Sequence, residues 1–280
     1  MTETQPEART IAELLAAPVP ETPSWIYPAV LPRGGKLMFG GNAKAGKSLV
    51  AMELARALAS ADVPFGYPGF WVRDPARVLY LEQELGTYGL QKRSRKIFSD
   101  LHADCLAENL WWVSKNPEMK LDSPEGRRII SDLVEQVRPN VLILDPISKF
   151  HTAEENSNTE IARVLLSIDR LIAEYRDLEL SVIISHHFGK PVRDPRFLAD
   201  PLDPYNFRGS SNWYGDMDTL GTVARLPQIA GCKHEAWRLR SRWISRHGEA
   251  PVKELIFSVN QRDDLRVRFE REVDIGVVVG

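Results

Sequence analysis

The stretch Gly41-Asn42-Ala43-Lys44-Ala45-Gly46-Lys47-Ser48 decides how this chain folds. It matches the phosphate-binding loop pattern G-x-x-x-x-G-K-[ST] at every fixed position. Residues 36–40 before it are apolar enough for a short buried strand, and residues 49–59 after it have the composition of a good helix. A ligand-free glycine-rich turn is the alternative, but the strand–loop–helix context favours a concave anion site made of backbone N–H groups and a helix N-terminus.

Two side chains of this loop carry the expected chemistry. The Lys47 ammonium is expected on the β- and γ-phosphates of a nucleotide, and the Ser48 hydroxyl is expected to ligate Mg²⁺. The loop therefore predicts a nucleoside triphosphate and Mg²⁺ as the bound groups. The predicted nucleotide contacts are Gly41, Asn42, Ala43, Lys44, Ala45, Gly46, Lys47, Ser48 and Leu49.

Composition limits the remaining possibilities. The 280 residues carry a formal net charge of −2, so the chain as a whole does not attract nucleic acid or membranes, and any nucleic-acid binding must come from a local patch. Cys105 and Cys232 lack metal-ligand spacing, which is typical of reduced thiols in a cytosolic protein. We find no apolar run long enough to span a membrane and no secretory signal pattern at the N-terminus. These features predict a cytoplasmic protein without membrane contact.

Strands and helices alternate along most of the chain, and short apolar runs separated by amphipathic helices indicate a parallel sheet covered on both faces. The predicted strands after the first are 78–81, 110–113, 141–144 and 180–184, and the predicted helices are 87–103, 123–137 and 159–175. Three further strands at 237–245, 252–259 and 265–271 are expected to extend the sheet in antiparallel fashion. The predicted fold class is thus α/β.

Two regions are expected in the chain. Residues 1–33 form an N-terminal arm with a short helix at 10–16 and a proline-rich connector, and residues 34–280 form the α/β domain with its C-terminal strands. Trp25, Ile26 and Tyr27 are too apolar to lie in water. We expect this part of the arm to pack on its own domain or on a neighbouring subunit.

Acidic residues follow two of the predicted strands. Asp145 ends the apolar run 141–144, at the position where a parallel sheet presents its ligand site, and is expected to contact Mg²⁺ directly or through water. A turn-capping role is the alternative. Glu82 and Glu84 follow the run 78–81, and one of them is expected to orient the water that attacks the γ-phosphate. The alternative is that both are solvated surface acids.

Other polar groups gather in the second half of the chain. The pair His186-His187 ends the strand 180–184 and could sense the γ-phosphate through a hydrogen bond, although a structural role is equally reasonable. Residues 189–206 are expected to form a long loop that contacts nucleic acid or a neighbouring subunit, and a purely solvated loop is the alternative. The charges of this loop cancel, which weakens the prediction of strong DNA binding. The alternating Arg238, Arg240 and Arg242 are expected on one face of a strand, at least half of them solvated.

Taken together, these motifs resemble the RepA-like or AAA_25 branch of the RecA/DnaB-type P-loop ATPases, which includes ring-forming replicative helicases of plasmids and phages. The resemblance covers about residues 22–250. Besides the phosphate-binding loop it rests on Pro32-Arg-Gly-Gly35, Leu79-Tyr-Leu-Glu-Gln-Glu-Leu85, Leu142-Ile-Leu-Asp-Pro-Ile-Ser148, Ile183-Ile-Ser-His-His-Phe-Gly-Lys190 and Phe207-Arg-Gly-Ser-Ser211.

The resemblance implies a RecA-like core that hydrolyses ATP between subunits of a ring, commonly a hexamer. In this family a strand-end glutamate precedes an arginine by nine positions, an interval that Glu84 and Arg93 fit, so the resemblance favours Glu84 over Glu82 as the base. His186, with His187, matches the polar sensor position. Either Arg208 or Arg246 matches an arginine that acts on a neighbour's nucleotide.

Three functions remain open from the sequence. The favoured one is an ATP-driven ring motor on single-stranded DNA, of the replicative helicase type of plasmids or phages. The second is a nucleotide-switched recombination or loading factor that binds DNA without processive unwinding. The third, which the near-neutral charge permits, is a regulatory ATP-binding protein without a nucleic-acid partner.

Overall fold

The structure is a computed structural model, and it describes residues 8, 10–18, 24–189, 200–207, 209–227, 236–246, 253–260 and 262–273. The helices are α1 Ile11–Ala16, α2 Lys47–Ser60, α3 Thr87–Ile97, α4 Ala103–Asn109, α5 Pro124–Val137, α6 Asn158–Glu174 and α7 Asn212–Asp216. The strands are β1 Ser24–Ile26, β2 Leu31–Pro32, β3 Lys36–Gly41, β4 Val78–Glu82, β5 Leu110–Ser114, β6 Val141–Asp145, β7 Ser181–His187, β8 Thr219–Arg225, β9 Ala236–Ser245, β10 Lys253–Asn260 and β11 Val267–Val273.

Nine of these strands form one mixed sheet in the order β11-β10-β9-β8-β3-β7-β6-β4-β5. The six strands from β8 to β5 are parallel, whereas β9, β10 and β11 add in antiparallel fashion beside β8. This arrangement confirms the predicted α/β class with a C-terminal antiparallel extension. Because the parallel strands share one direction, all their carboxyl ends meet at one edge of the sheet, which we call the carboxyl edge.

Helices cover both faces of the sheet, which explains why its central strands are apolar on both sides. Along β3, Leu37 and Phe39 pack on the face covered by α2, whereas Met38 between them packs on the face covered by α5 and α6. Each face thus has its own hydrophobic core, and α2, which follows the phosphate-binding loop, is buried along most of its length.

The prediction of one helix over residues 87–103 was wrong at its C-terminal end. Helix α3 ends at Ile97, and a second helix, α4, begins at Ala103. The break places Phe98 in the core, where it is 7% exposed. Strand β8 was not predicted, because its Gly221 and threonines interrupt any apolar run.

The arginines of β9 are paired with carboxylates of the two neighbouring strands. Arg240 and Arg242 both donate to the carboxylate of Glu254 on β10, whose side chain is 1% exposed. Arg238 pairs with Glu270 on β11. The expected solvated face is therefore wrong for Arg242, whose side chain is 20% exposed, whereas the side chains of Arg238 and Arg240 are 50% and 36% exposed. The antiparallel pairing of β9 with β10 places the buried Glu254 carboxylate between Arg240 and Arg242.

The apolar part of the N-terminal arm packs on its own domain. Trp25 and Ile26 of β1 lie in the same core as α2, at 5% and 0% exposure, and Tyr27 stacks on Trp71. Among the residues that the structure describes, no helix has the length and apolar character needed to cross a lipid bilayer.

Candidate functional site

The phosphate-binding loop lies where β3 ends and α2 begins, at the carboxyl edge. The Lys47 amine donates to the carbonyl oxygens of Gly41 and Asn42, each at 3.1 Å. Burial lowers the pKa of Lys47, and the carboxylates of Asp145 and Glu84 partly oppose that shift by stabilising the ammonium. The amine is thus held at the floor of the loop, with Ser48 in the next position of the helix.

Gly46 is required at the end of this loop for two reasons. Its φ of +99° belongs to the left-handed region, which L side chains adopt only with strain. A Cβ placed on Gly46 would also lie 2.8 Å from Cη2 of Trp237. A tryptophan from β9 therefore packs directly on the phosphate-binding loop.

Asp145 ends β6 and is held on both carboxylate oxygens. The Tyr80 hydroxyl donates to Oδ2 at 2.6 Å, and the Ser185 hydroxyl donates to Oδ1. Tyr80 is itself fixed by stacking on Trp112, with the ring centroids 3.9 Å apart. Neighbouring strands thus orient the Asp145 carboxylate toward the pocket beside Lys47.

Glu82 and Glu84 have different environments. Burial raises the pKa of Glu82, and its Oε1 accepts the backbone N–H groups of Glu84 and Leu85 at 2.6 and 2.5 Å. Glu84 instead lines the pocket with 46% of its side chain exposed. The imidazole of His187, with Nε2 3.6 Å from Oε1, lowers the pKa of Glu84. Glu82 thus shapes the turn that presents Glu84 to the pocket.

The histidine pair lies on opposite faces of β7. His187 lines the pocket, whereas His186 is fully buried on the other face beside Phe207 and Trp213, with ring centroids 5.9 and 5.2 Å away. His187 is therefore better placed than His186 for the predicted contact with a γ-phosphate.

Of the two arginines considered for action in trans, Arg246 lies away from these groups. Arg246 follows Ser245, which pairs with Thr219 at the beginning of β8, and Thr219 in turn pairs with Leu37 near the beginning of β3. Arg246 is therefore at the edge opposite the phosphate-binding loop, exposed and hydrogen-bonded to the Gly215 carbonyl. Arg208 lies outside the described residues.

The pocket that these groups line has a volume of about 460 Å³, within the usual range for small-molecule sites. Several residues that line it were not predicted as site residues, among them Arg93, Arg225, Trp237 and Leu265. Arg225 ends β8 with its guanidinium 4.5 Å from the centroid of the Trp237 ring, and Leu265 lies on the turn before β11. Arg93 of α3, which the resemblance had placed nine residues after Glu84, also lines the pocket.

Comparisons with known proteins agree with this fold. The sequence profile of the AAA domain family, AAA_25, matches residues 2–192. No curated protein matches the chain significantly in sequence. Among solved structures, the flagellar accessory protein FlaH from Methanocaldococcus jannaschii is similar with a TM-score of 0.56 at 14% identity. The similarity covers 86% of this chain and 91% of FlaH and shows a RecA-like fold.

Proposed function

This chain belongs to the AAA domain family AAA_25, a branch of the P-loop ATPases, and from that premise we propose that it is an ATP-hydrolysing, ring-forming motor on single-stranded DNA. The proposed type is a replicative helicase of plasmid or phage replication, working as a hexamer. The observation that carries the ATP-hydrolysing part of this proposal is the meeting of Lys47, Ser48, Asp145 and Glu84 around one pocket at the carboxyl edge.

The residues present fit a nucleotide with Mg²⁺. The two backbone carbonyls use two of the three donor hydrogens of the Lys47 ammonium, so a phosphate oxygen can take the third. Ser48 and Asp145 would hold Mg²⁺, directly or through water, since oxygen ligands are those this cation prefers. When bound, Mg²⁺ neutralises charge that develops on the phosphates.

Glu84 suits the role of general base because it is a carboxylate that lines the pocket with 46% of its side chain exposed. It would orient a water toward the γ-phosphorus and accept its proton. The oxygen–phosphorus bond to the β-phosphate breaks as the new one forms, which gives ADP and inorganic phosphate. His187 would donate a hydrogen bond to the γ-phosphate or hold Glu84 in place.

The nucleoside would lie against the other wall of the pocket, which is formed by Arg225, Trp237 and Leu265. A guanidinium stacked on an indole offers a flat outer surface to an aromatic base. Arg246 lies at the edge of the sheet opposite the phosphate-binding loop, and this location supports action on the nucleotide of a neighbouring subunit rather than on the nucleotide of its own subunit. Arg208 is the other candidate for this role.

Substitution tests the enzymatic and the shared-site parts separately. Lys47→Ala is expected to abolish ATP turnover and leave the fold intact, and unchanged turnover would refute the ATPase. Mixing Lys47→Ala with Arg246→Ala subunits should restore part of the turnover if sites are shared, because some interfaces then pair an intact loop with an intact arginine. The matched control is Arg238→Ala, on the strand β9 that Arg246 follows, where the side chain is half exposed; this variant should keep its own turnover without mixing.

The alternative function is a nucleotide-switched recombination or loading factor that binds DNA without processive unwinding. The same pocket supports it equally. Strand separation of a forked duplex distinguishes the two, since ATP-dependent separation is expected of the motor and absent from the loading factor. An ATP turnover rate that does not change when single-stranded DNA is added, together with no DNA binding, would contradict both the motor and the loading factor.

A further inference from the structure

Helix α3 carries positive charge and an aromatic ring on the side that is turned to solvent. It contains four basic residues and no acidic one. Its buried side holds Leu90 and Ile97, at 8% and 0% exposure. At 3.6 residues per turn, the opposite side presents a stripe of exposed residues, Tyr88, Gln91, Lys92 and Arg95. We call these four residues the outer face of α3.

The side chains of the outer face of α3 are available to a ligand. Within the described ranges, neither Lys92 nor Arg95 has a hydrogen bond or ion pair through its side chain, and no ring packs on Tyr88, which is 80% exposed. The nearest carboxylates in sequence, Glu84 and Asp100, are held by other side chains, the first by a histidine of β7 and the second by two arginines. The positive charge of this face therefore remains available to an anionic partner.

Helix α3 also belongs to the candidate nucleotide site. It begins directly after the turn that presents Glu84, and Arg93 on its inner side lines the pocket. The Leu90 N–H donates to the Gly86 carbonyl at 3.1 Å, which joins the first turn of the helix to that preceding turn. A ligand on the outer face of α3 therefore acts on the same element that positions Glu84 in the pocket.

We propose that the outer face of α3 is a contact surface for single-stranded DNA, with Lys92 and Arg95 on phosphates and Tyr88 stacked on a base. This inference rests on the proposed function and adds the residues that hold the strand. Each lysine or arginine that neutralises a phosphate releases counterions, which supplies affinity without sequence preference. Stacking on an aromatic side chain likewise accepts every base, because every base has a π-face.

The composition of the outer face of α3 favours a single strand over other partners. The centre of a protein interface is apolar and depleted of lysine, whereas Gln91 and Lys92 occupy the middle of this stripe. A duplex offers phosphates, but its bases already stack on each other, so Tyr88 would have no ring to pack on. An unpaired strand offers both phosphates and a free base.

The test measures binding of a fluorescently labelled oligo-dT by anisotropy over a range of salt concentrations. Lys92→Gln and Arg95→Gln each remove one positive charge, so each should lower the slope of log affinity against log salt by about 0.7, the value for one phosphate contact on a single strand. Tyr88→Ala should weaken binding about 5- to 150-fold at an unchanged slope. Tyr88→Trp should bind within about twofold of the wild type, because an indole also stacks.

Arg163→Gln is the matched control for the loss of charge. Arg163 is also exposed and has no side-chain partner in the part of the chain that the structure describes, but its helix α6 covers the other face of the sheet. This variant should keep both the affinity and the slope. Turnover of ATP without DNA should be unchanged in Lys92→Gln and Arg95→Gln, because neither side chain lines the pocket, whereas its stimulation by oligo-dT should fall.

The outcomes separate this surface from the proposed function. If the wild type binds oligo-dT and the variants at 88, 92 and 95 bind equally well, the surface is refuted and the proposed function stands. Equal losses in Arg163→Gln would also refute it. Poly-glutamate that displaces oligo-dT at equal charge concentration would overturn the assignment to DNA in favour of an acidic protein. If the wild type does not bind oligo-dT, the proposed function fails and the surface fails with it.

Discussion

The hydroxyl of Tyr80 donates to Oδ2 of Asp145 at 2.6 Å, from the neighbouring strand of the sheet. Tyr80 is buried and its pKa is raised well above the ordinary value, by burial and by the Asp145 charge, so it remains a donor at every working pH. The hydrogen bond fixes the direction in which the candidate metal ligand points.

Tyr80→Phe removes this donor and keeps the aromatic ring stacked on Trp112. Because partners of a metal ligand typically account for 10- to 100-fold in affinity, we expect the Mg²⁺ concentration for half-maximal ATP turnover to rise about tenfold. The control is Tyr67→Phe, which loses a 2.6 Å hydrogen bond to Glu272 away from the pocket. A shift of the same size in both variants would show that the effect is structural.

Glu84→Gln and Glu82→Gln separate the two candidate bases. A glutamine at 84 cannot accept the water's proton, so turnover should fall about 10²- to 10⁴-fold while ATP still binds. A glutamine at 82 still accepts the N–H groups of Glu84 and Leu85, so a loss of no more than about tenfold is expected. The measurements are steady-state turnover and equilibrium nucleotide binding, and the reverse ranking would assign the base to Glu82.

His187→Gln tests how the base is tuned. The imidazole holds the pKa of Glu84 below its ordinary 4.5, so the carboxylate stays ionised as the pH falls to that lowered value. Without the imidazole that pKa rises, and the acid limb of the pH–rate profile should move to higher pH. Circular dichroism at each pH checks that the fold persists. The exposed His102 on the turn before α4 provides the control His102→Gln, whose profile should not move.

Gly46→Ala tests the contact between the phosphate-binding loop and β9. The substitution adds backbone strain at a φ of +99° and a collision with Trp237, so nucleotide binding should be lost. Gly34→Ala has similar strain at a φ of +72° with no heavy atom within 4 Å of its Cβ, apart from its chain neighbours, and should only destabilise the fold by about 1 kcal/mol. Nucleotide titration with thermal unfolding separates the two effects.

Glu254→Ala tests the buried ion cluster of the C-terminal strands. It leaves Arg240 and Arg242, whose side chains are 36% and 20% exposed, without their shared carboxylate, while Arg242 keeps Asp200 at 2.7 Å, so the loss should be about 1–3 kcal/mol of unfolding free energy. Arg238→Ala removes an exposed pair with Glu270 and should cost about 1 kcal/mol or less. Urea unfolding followed by tryptophan emission measures both, and equal small losses would show that the cluster contributes little.

Local sequence was sufficient to predict much of the fold and half of the site. The strand that ends at Asp145 is an uninterrupted apolar run, and the phosphate-binding loop has fixed residue types. Both can therefore be recognised from a window of about ten residues. Glu84 could be preferred over Glu82 only through the resemblance, and the structure supplies a physical reason for that preference: Glu82 is occupied as the acceptor of two backbone N–H groups.

The other half of the site depends on pairing between distant strands. Arg225 pairs with Leu239 in the antiparallel ladder of β8 and β9, and this register brings Trp237 over Gly46. Nothing near residue 225, 237 or 265 in the sequence signals a nucleotide site. These residues converge because of the register between the strands. A pattern of alternating polar and apolar residues does not determine that register, because a shift by two residues keeps the same side chains on the buried face.

The contact of Trp237 with Gly46 also bears on how the protein is made. The pocket takes its floor from residues near 46 and its far wall from residues as late as Leu265. During synthesis at about 5–20 residues per second, some ten seconds or more separate the two stretches. A nascent chain that has emerged only as far as α7 would carry the complete phosphate-binding motif without the wall that covers it. We therefore expect ATP affinity to arise late in translation, after β11 has added to the sheet.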